Sequence, residues 1–484
     1  MALLELKWTS RAVPLAGCPT LTDPGGSTVP PIVGGTIDGG VAALDDQGRE
    51  VWTVPIGSKV SAWPTVDEIP GRGKVVLAAS EDGVLACLSL QGDVLWRTEL
   101  ESPATSFNSV GLVRGSGETR IVVTDRTGRV TGVSTDGEML WRFYTRKGGA
   151  GPAAISDLDG DGREEVVFSA GDGHMYCLDL DGSLVWSLDI GGDGEYSAPV
   201  VAEFEGQPHI LVGSLADVLR CVDANGYLLW TQRGTGAGGI EVGISLADLD
   251  GDGTDEIIFC HTGKSIQAVT HRGELMWSTY YGGGDQPFGP SVADLDGDGH
   301  PEILFAQRDG PTIRVLDRFG RLLEEHPVEG GMVGAPVVGD VDSDGLLEIL
   351  VVEQKTGHLL CFSSKSSALA VPWPNSRGCF DGSGARVRIA SRGGETRLRR
   401  TRPALEPKVD LAPRWFEGPH LGTNRVGFSG WHTSKNCWLT VALTDPQGVV
   451  HRSVLSAENE YAEFELLSPG ECLLEAHLID RSTR

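Results

Sequence analysis

A phrase ending in an apolar residue and Trp returns six times along this chain, and it constrains the fold more than any other feature. The copies are GGVAALDDQGREVW (39 to 52), GVLACLSLQGDVLW (83 to 96), GRVTGVSTDGEMLW (128 to 141), GHMYCLDLDGSLVW (173 to 186), DVLRCVDANGYLLW (217 to 230) and KSIQAVTHRGELMW (264 to 277). In each, a Gly stands four residues before the Trp: Gly48, Gly92, Gly137, Gly182, Gly226 and Gly273. A Gly preceded by a polar residue between two alternating apolar runs is a hairpin turn, so each phrase predicts two antiparallel strands. Two more short apolar runs precede each phrase, as in APVVAEF (198 to 204) and HILVGS (209 to 214). Four strands in about 45 residues is the size of one propeller blade.

Eight such units fit between about residue 17 and residue 373, and the fold class expected is all-β, an eight-bladed β-propeller followed by a small β-sandwich. The last two copies are weaker. PTIRVLDRFGRLLE (311 to 324) has lost the Trp, and GHLLCFSSKSSALAVPW (357 to 373) carries one late, at Trp373. The N-terminal run LLELKW (3 to 8) reads as an orphan strand, while the fourth strand of the last unit is degraded. A ring cannot leave an edge open, so an N-terminal strand completing blade eight explains both. A Trp repeated at one blade position reads as inter-blade packing. Cys87, Cys177, Cys221 and Cys361 share a repeat position with Ala43, Gly132, Ala268 and Val315, which marks a small buried residue and not a disulfide framework.

A second motif interrupts four of the units. Its copies run Asp157 to Glu165, Asp248 to Glu256, Asp294 to Glu302 and Asp340 to Glu348. The acidic side chains are Asp157, Asp159, Asp161 and Glu165; Asp248, Asp250, Asp252 and Glu256; Asp294, Asp296, Asp298 and Glu302; and Asp340, Asp342, Asp344 and Glu348. Carboxylates at positions one, three, five and nine, with Gly at six, give the oxygen-rich turn that a hard divalent cation needs. The expected cofactor is calcium, structural, at up to four sites. The motif is not an EF-hand, in which the closing Glu stands at position twelve between helices. The fourth copy departs most, because Ser343 replaces a Gly.

The LD-x-x-G-x-x-LW phrase resembles the blade repeat of quinoprotein-like propellers, and DLDGDG-x-x-E resembles the calcium loop of FG-GAP, integrin-α-type repeats. Together they cover about residues 17 to 380. What the resemblance implies is a fold, since such propellers include quinone dehydrogenases, polysaccharide lyases, assembly scaffolds and plain binding modules. No adjacent Cys pair or quinone ligand set occurs here, so no quinone cofactor is expected. The domains expected are a propeller over 1–380, a basic linker or hairpin over 381–403, and a β-sandwich over 404–484. That last domain stops abruptly at Arg484 and reads as truncated.

The formal net charge of −27 argues against a nucleic-acid partner, and no apolar run reaches membrane-spanning length. The start of the chain lacks the n-region and h-region of a signal peptide. Either the chain is cytosolic or a leader has been removed, and calcium loops that fill at extracellular concentrations favour an extracytoplasmic or secreted location. Propeller ligands commonly sit where loops enter the innermost strands. Those loops hold Arg146, Lys147, Glu195, Tyr196, Arg233, Glu241, Tyr281 and Asp285. Cations, Tyr and carboxylates on adjacent Gly-rich loops suit an acidic sugar. The expected function is a calcium-stabilised platform binding carbohydrate. A polysaccharide lyase acting by β-elimination and a protein-interaction scaffold are the alternatives, and the sequence identifies no reaction.

Overall fold

The computed structural model describes residues 3–22, 30–100, 110–145, 149–191, 197–234, 238–240, 243–262, 265–282, 288–307 and 312–367, and short strands beyond them. Eight sheets of four antiparallel strands form an eight-bladed propeller. Blade four is representative, with strands Ala154–Ser156, Glu165–Ser169, His174–Leu178 and Leu184–Asp189 from the inside outwards. The second and third strands of each blade are covered on both faces, so they read as unbroken apolar runs such as Glu256–His261, buried throughout. Outer strands face solvent on one side and alternate, as Glu50–Pro55 does. Hydroxyls link the inner strands from blade to blade: Ser245 Oγ donates to the Pro290 carbonyl at 2.5 Å, and Ser291 Oγ to that of Pro336 at 2.6 Å.

The recurrent Gly has two physical duties. It sits at positive φ in the turn between the third and fourth strands, 79° at Gly226, where its N–H donates to the Asp223 carbonyl. It also lies under the Trp of the preceding blade. A Cβ on Gly226 would stand 2.8 Å from a ring carbon of Trp186, and one on Gly182 would stand 2.3 Å from Trp141. That Trp then donates its indole N–H to a carbonyl in the same turn: Trp52 to Leu90, Trp96 to Thr135, Trp141 to Leu180, Trp186 to Ala224, Trp230 to His271 and Trp277 to Arg318, at 2.9 to 3.1 Å. Ring and hydrogen bond together key each of blades one to six onto the next. The small residue of the third strand faces the Trp across the sheet, in pairs such as Cys177 with Trp186 and Gly132 with Trp141. Cys87, Cys177, Cys221 and Cys361 are buried free thiols, and burial pushes the Cys87 thiol up to about 12.

The N-terminal strand Glu5–Ser10 closes the ring, pairing antiparallel with Leu359–Ser367 as the outer strand of blade eight. This corrects the assignment of that blade's Trp. The position falls to Trp8, which pairs with Cys361 and lies against Gly48 of blade one, whereas Trp373 lies outside the described residues. Ser10 Oγ donates to the Gly48 carbonyl as Thr279 does to that of Gly320. The loss of Trp in blade seven has the same origin. Because blade eight takes its outer strand from the N-terminus, it has no hairpin turn to receive an indole. Glu324 occupies the position, paired with Val315, and accepts the N–H of Leu3 at the start of the closing segment.

Beyond the propeller, Ala412–Glu417, Thr423–Ser429 and Tyr461–Glu465 form an antiparallel sheet, and Cys437–Thr444 pairs antiparallel with Val450–Leu455 and Leu473–Asp480. Val450–Leu455 also runs parallel to the outer strand of blade four, and Ala385–Arg386 parallel to the inner strand of blade five. The other cations of the Arg386 to Arg402 run lie outside the described residues.

Candidate metal centres

The four acidic motifs join the first strand of a blade to its second, in blades four, six, seven and eight. Two left-handed turns fold each loop back on itself, at Gly160 and Gly162 (φ 78° and 85°) in the first copy, Gly251 and Gly253 in the second, and Gly297 and Gly299 in the third. In the first copy the Asp157 carboxylate accepts the N–H of Gly160 at 2.8 Å and of Gly162 at 2.9 Å, and Glu165 accepts that of Leu158 at 2.8 Å. The second and third copies repeat these bonds with Asp248 and Glu256 and with Asp294 and Glu302. The outcome is convergence of charge. Carboxylate oxygens of Asp157, Asp159 and Glu165 lie within 4.8 Å of one another, as do those of Asp248, Asp250 and Asp252, of Asp294, Asp296 and Glu302, and of Asp340, Asp342 and Asp344. Asp161, Glu256, Asp298 and Glu348 stand outside these tightest sets.

Burial and the neighbouring Asp charges raise the closing carboxyls, Glu165 to about 8 and Glu256 and Glu302 to about 7. Among the described residues, no Lys or Arg comes within ion-pair distance of the carboxylates at positions one, three, five and nine of the first three loops; Arg163, beside the first, reaches Asp181, and Arg114 stands 3.9 Å from Glu164 at position eight. Several oxygens at ligand spacing, held by backbone N–H groups and lacking a counter-charge, fit a hard divalent cation such as calcium.

The fourth loop differs. Ser343 takes the left-handed backbone (φ 62°) that Gly160 takes in the first, a conformation costing a non-Gly residue about 1 kcal/mol. Lys7 of the closing strand puts its Nζ 2.6 Å from Asp342, 3.0 Å from Glu348 and 3.6 Å from Asp344. Burial pulls this ammonium down, but the hydrogen bonds to Asp342 and Glu348 outweigh it and hold the group above its ordinary value. Sequence reasoning passed over Lys7. Its role depends on the register of ring closure, which no local pattern reports.

The opposite face of the ring carries the loops that enter the inner strands, because each inner strand begins there and ends at the acidic-loop face. Of the eight residues expected to bind ligand there, Arg146, Lys147, Glu195, Tyr196, Glu241 and Asp285 lie outside the described residues. Arg233 ends the outer strand of blade five and is exposed. The Tyr281 ring packs 4.9 Å from Phe305 and its hydroxyl donates to the His261 carbonyl at 3.0 Å; burial pushes the phenol up. The turns between second and third strands add groups the sequence did not single out. Asp217 lies 2.5 Å from Nδ1 of the fully buried His261, and Tyr176 donates to Asp172 at 2.5 Å. Their common position in the blade is the signal that would have found them.

Residues 37–210 match the PQQ-type repeat family described as outer membrane protein assembly factor BamB, and residues 248–305 match the FG-GAP-like repeat. The chain is a β-propeller in which these two stretches match PQQ-type and FG-GAP-like repeats. Solved structures agree on the fold. BamB from Moraxella catarrhalis is 17% identical with a TM-score of 0.54, covering 75% of this chain and 98% of its own. The V. cholerae biofilm matrix protein Bap1 is 14% identical with a TM-score of 0.53, over 76% and 92%. A quinohemoprotein alcohol dehydrogenase from Pseudomonas putida HK5 is 14% identical with a TM-score of 0.52, over 76% and 77%. At such identities the likeness concerns the fold alone. No curated protein sequence matches this chain.

Proposed function

We propose that this propeller is a calcium-fastened binding platform, with metal on one face, ligand on the other, and acidic carbohydrate as the ligand class. The observation that carries the metal half is the convergence, in three loops on one face, of carboxylates with no Lys or Arg within ion-pair distance among the described residues. Asp157, Asp159, Asp161 and Glu165, with their counterparts in blades six and seven, would hold the ion through carboxylate oxygens alone, a hard donor set that suits calcium. Calcium there would fix the connection from inner to second strand and neutralise part of the chain's acidity. An extracytoplasmic location, where calcium is abundant, follows from this reading.

For the ligand half, the sequence supplies Arg146, Lys147 and Arg233 together with Glu195, Glu241, Asp285 and Tyr196 in the segments that lead towards the inner strands. Cations would pair with uronate carboxylates, acids with hydroxyls, and Tyr would stack on a sugar ring. The Tyr281 hydroxyl is engaged with the His261 carbonyl and is not the phenol a lyase would use; binding without turnover is the reading preferred. A protein partner is the second reading, favoured by the match of residues 37–210 to a family described as an assembly factor.

Calcium titration of the chelated protein, followed by a panel of uronate-containing and neutral glycans, tests both halves. Binding to acidic glycans without new ultraviolet absorbance supports the platform. Absorbance from an unsaturated product replaces it with the lyase, and silence across the panel returns the face to a protein partner.

A further inference from the structure

We infer that the acidic loop of blade eight is not a metal site in the native ring but the socket of an internal latch, in which the Lys7 ammonium takes the cation's place. The inference rests, for the other three loops, on the calcium reading above. Four observations carry it. Lys7 falls at a bulge in the closing strand: Leu6 pairs with Phe362 and Trp8 with Cys361, so Lys7 has no partner in the ladder. A bulged residue is re-aimed relative to its neighbours, and this one reaches three of the loop's four acidic residues, Asp342, Asp344 and Glu348. Glu348 is buried, while the Lys7 side chain keeps 26% of its surface exposed, so the pair sits at the mouth of the loop with its carboxylate end covered. At positions one, three, five and nine of the other three loops, no carboxylate is within ion-pair distance of Lys or Arg among the described residues.

A single ammonium cannot supply the six to eight oxygen contacts that calcium makes, and the loop shows the shortfall. Asp340 Oδ1 is buried with no hydrogen-bond partner, whereas its counterparts Asp157, Asp248 and Asp294 accept the N–H of Gly160, Gly251 and Gly297. The fourth loop therefore keeps the carboxylates of a cation site, with one oxygen unspent, while an ammonium fills its centre. Ring closure and metal exclusion become one event. While the N-terminal strand is docked, the loop is satisfied from within the chain; removing the Lys7 charge leaves Asp340, Asp342, Asp344 and Glu348 as a latent fourth calcium site.

The test counts calcium bound by the full chain, using calcium ions alone as probe and elemental analysis after equilibrium dialysis. Three ions in the wild type and four in Lys7→Met, which keeps the aliphatic stem, are expected. Four in the wild type, or no gain on substitution when the wild type binds three, overturns the latch. A double-mutant cycle of Lys7→Met with Asp342→Asn, melted in chelator, decides the latch even if the wild type binds no calcium and the calcium reading falls. A downward shift in Tm for each single variant, with little further shift in the double, supports the ion pair. Additive shifts, or no shift for Lys7→Met, overturn it.

Discussion

Blades four and five make the same connection, from inner strand to second strand, in opposite ways. Blade five turns through Glu205 and Gly206 (φ 52° and 72°) between the paired residues Phe204 and Gln207, a tight left-handed hairpin whose twist matches its strands. Blade four crosses the same gap with Asp157 to Glu164, gathering carboxylates that repel one another and half-burying the closing Glu165. The blade does not need the longer loop in order to form, since its Trp and hairpin Gly are the same in both blades. Two devices are thus layered on one scaffold: an indole lock from each of blades one to six onto the next, and an acidic loop in selected blades which, on the function proposed above, a counter-ion would fasten.

The largest effect of any single substitution comes from breaking the lock. Trp186 is 2% exposed and bridges blades four and five through Gly226 and the Ala224 carbonyl. Trp186→Ala should cost about 3 to 5 kcal/mol, the range for emptying an aromatic site in a core. The cost should be the same with calcium or with chelator in denaturant unfolding. A calcium-dependent cost would join the two devices and break the distinction between them.

Next comes metal removal. A ligand of the native state at a hundredfold excess over its Kd contributes about 2.7 kcal/mol per site, so chelation should lower Tm well below that of the calcium-loaded protein. Glu165→Gln should weaken one site and leave the others. Grafting Glu-Gly in place of the Asp157 to Glu164 loop should remove one ion from the stoichiometry and make blade four as insensitive to chelator as blade five. An unchanged Tm on chelation would leave the acidic loops without a stabilising cation.

The pH response gives an independent reading of the same loops. Glu165, raised to about 8, and Glu256 and Glu302, raised to about 7, bind protons more tightly folded than unfolded, where a carboxyl sits near 4.5. Stability from these protons is complete below about 4.5 and is lost as pH rises through 7 to 8. Chelated protein should therefore lose Tm between pH 5.5 and pH 8, and calcium should flatten the decline while releasing protons on binding. A decline of equal size with calcium present would place its origin outside these loops.

How much of this was legible in the sequence divides along the same line. The blade count, the hairpin Gly and the buried thiols were readable because each rests on a local period that repeats, and ring closure because that period breaks at both ends of the array. The acidic loops were readable for the same reason, down to Ser343 as the departure in the fourth. What escaped was set by contacts distant in sequence. Trp8, and not Trp373, lays the last ring against its hairpin Gly, though without the indole hydrogen bond; Glu324 replaces a Trp because blade eight offers no hairpin to receive it; and Lys7 enters a loop more than three hundred residues away. The one position where the ring joins its two ends is where repetition stops informing the reader.

The smallest effect should come from the turn that replaces a metal loop. Gly206 has positive φ, and a Cβ there would meet nothing within 4 Å, so Gly206→Ala should cost only the left-handed backbone penalty of about 1 kcal/mol. Gly226 has nearly the same φ, 79° against 72°, but lies under the Trp186 ring. Gly226→Ala should cost that penalty and a packing penalty of about 1 to 3 kcal/mol besides. The pair isolates packing from backbone strain at matched φ, and denaturant midpoints in chelator read the difference without any metal. Equal costs would mean that the Trp ring shifts freely over the turn, and the lock between blades would then rest on the indole hydrogen bond alone.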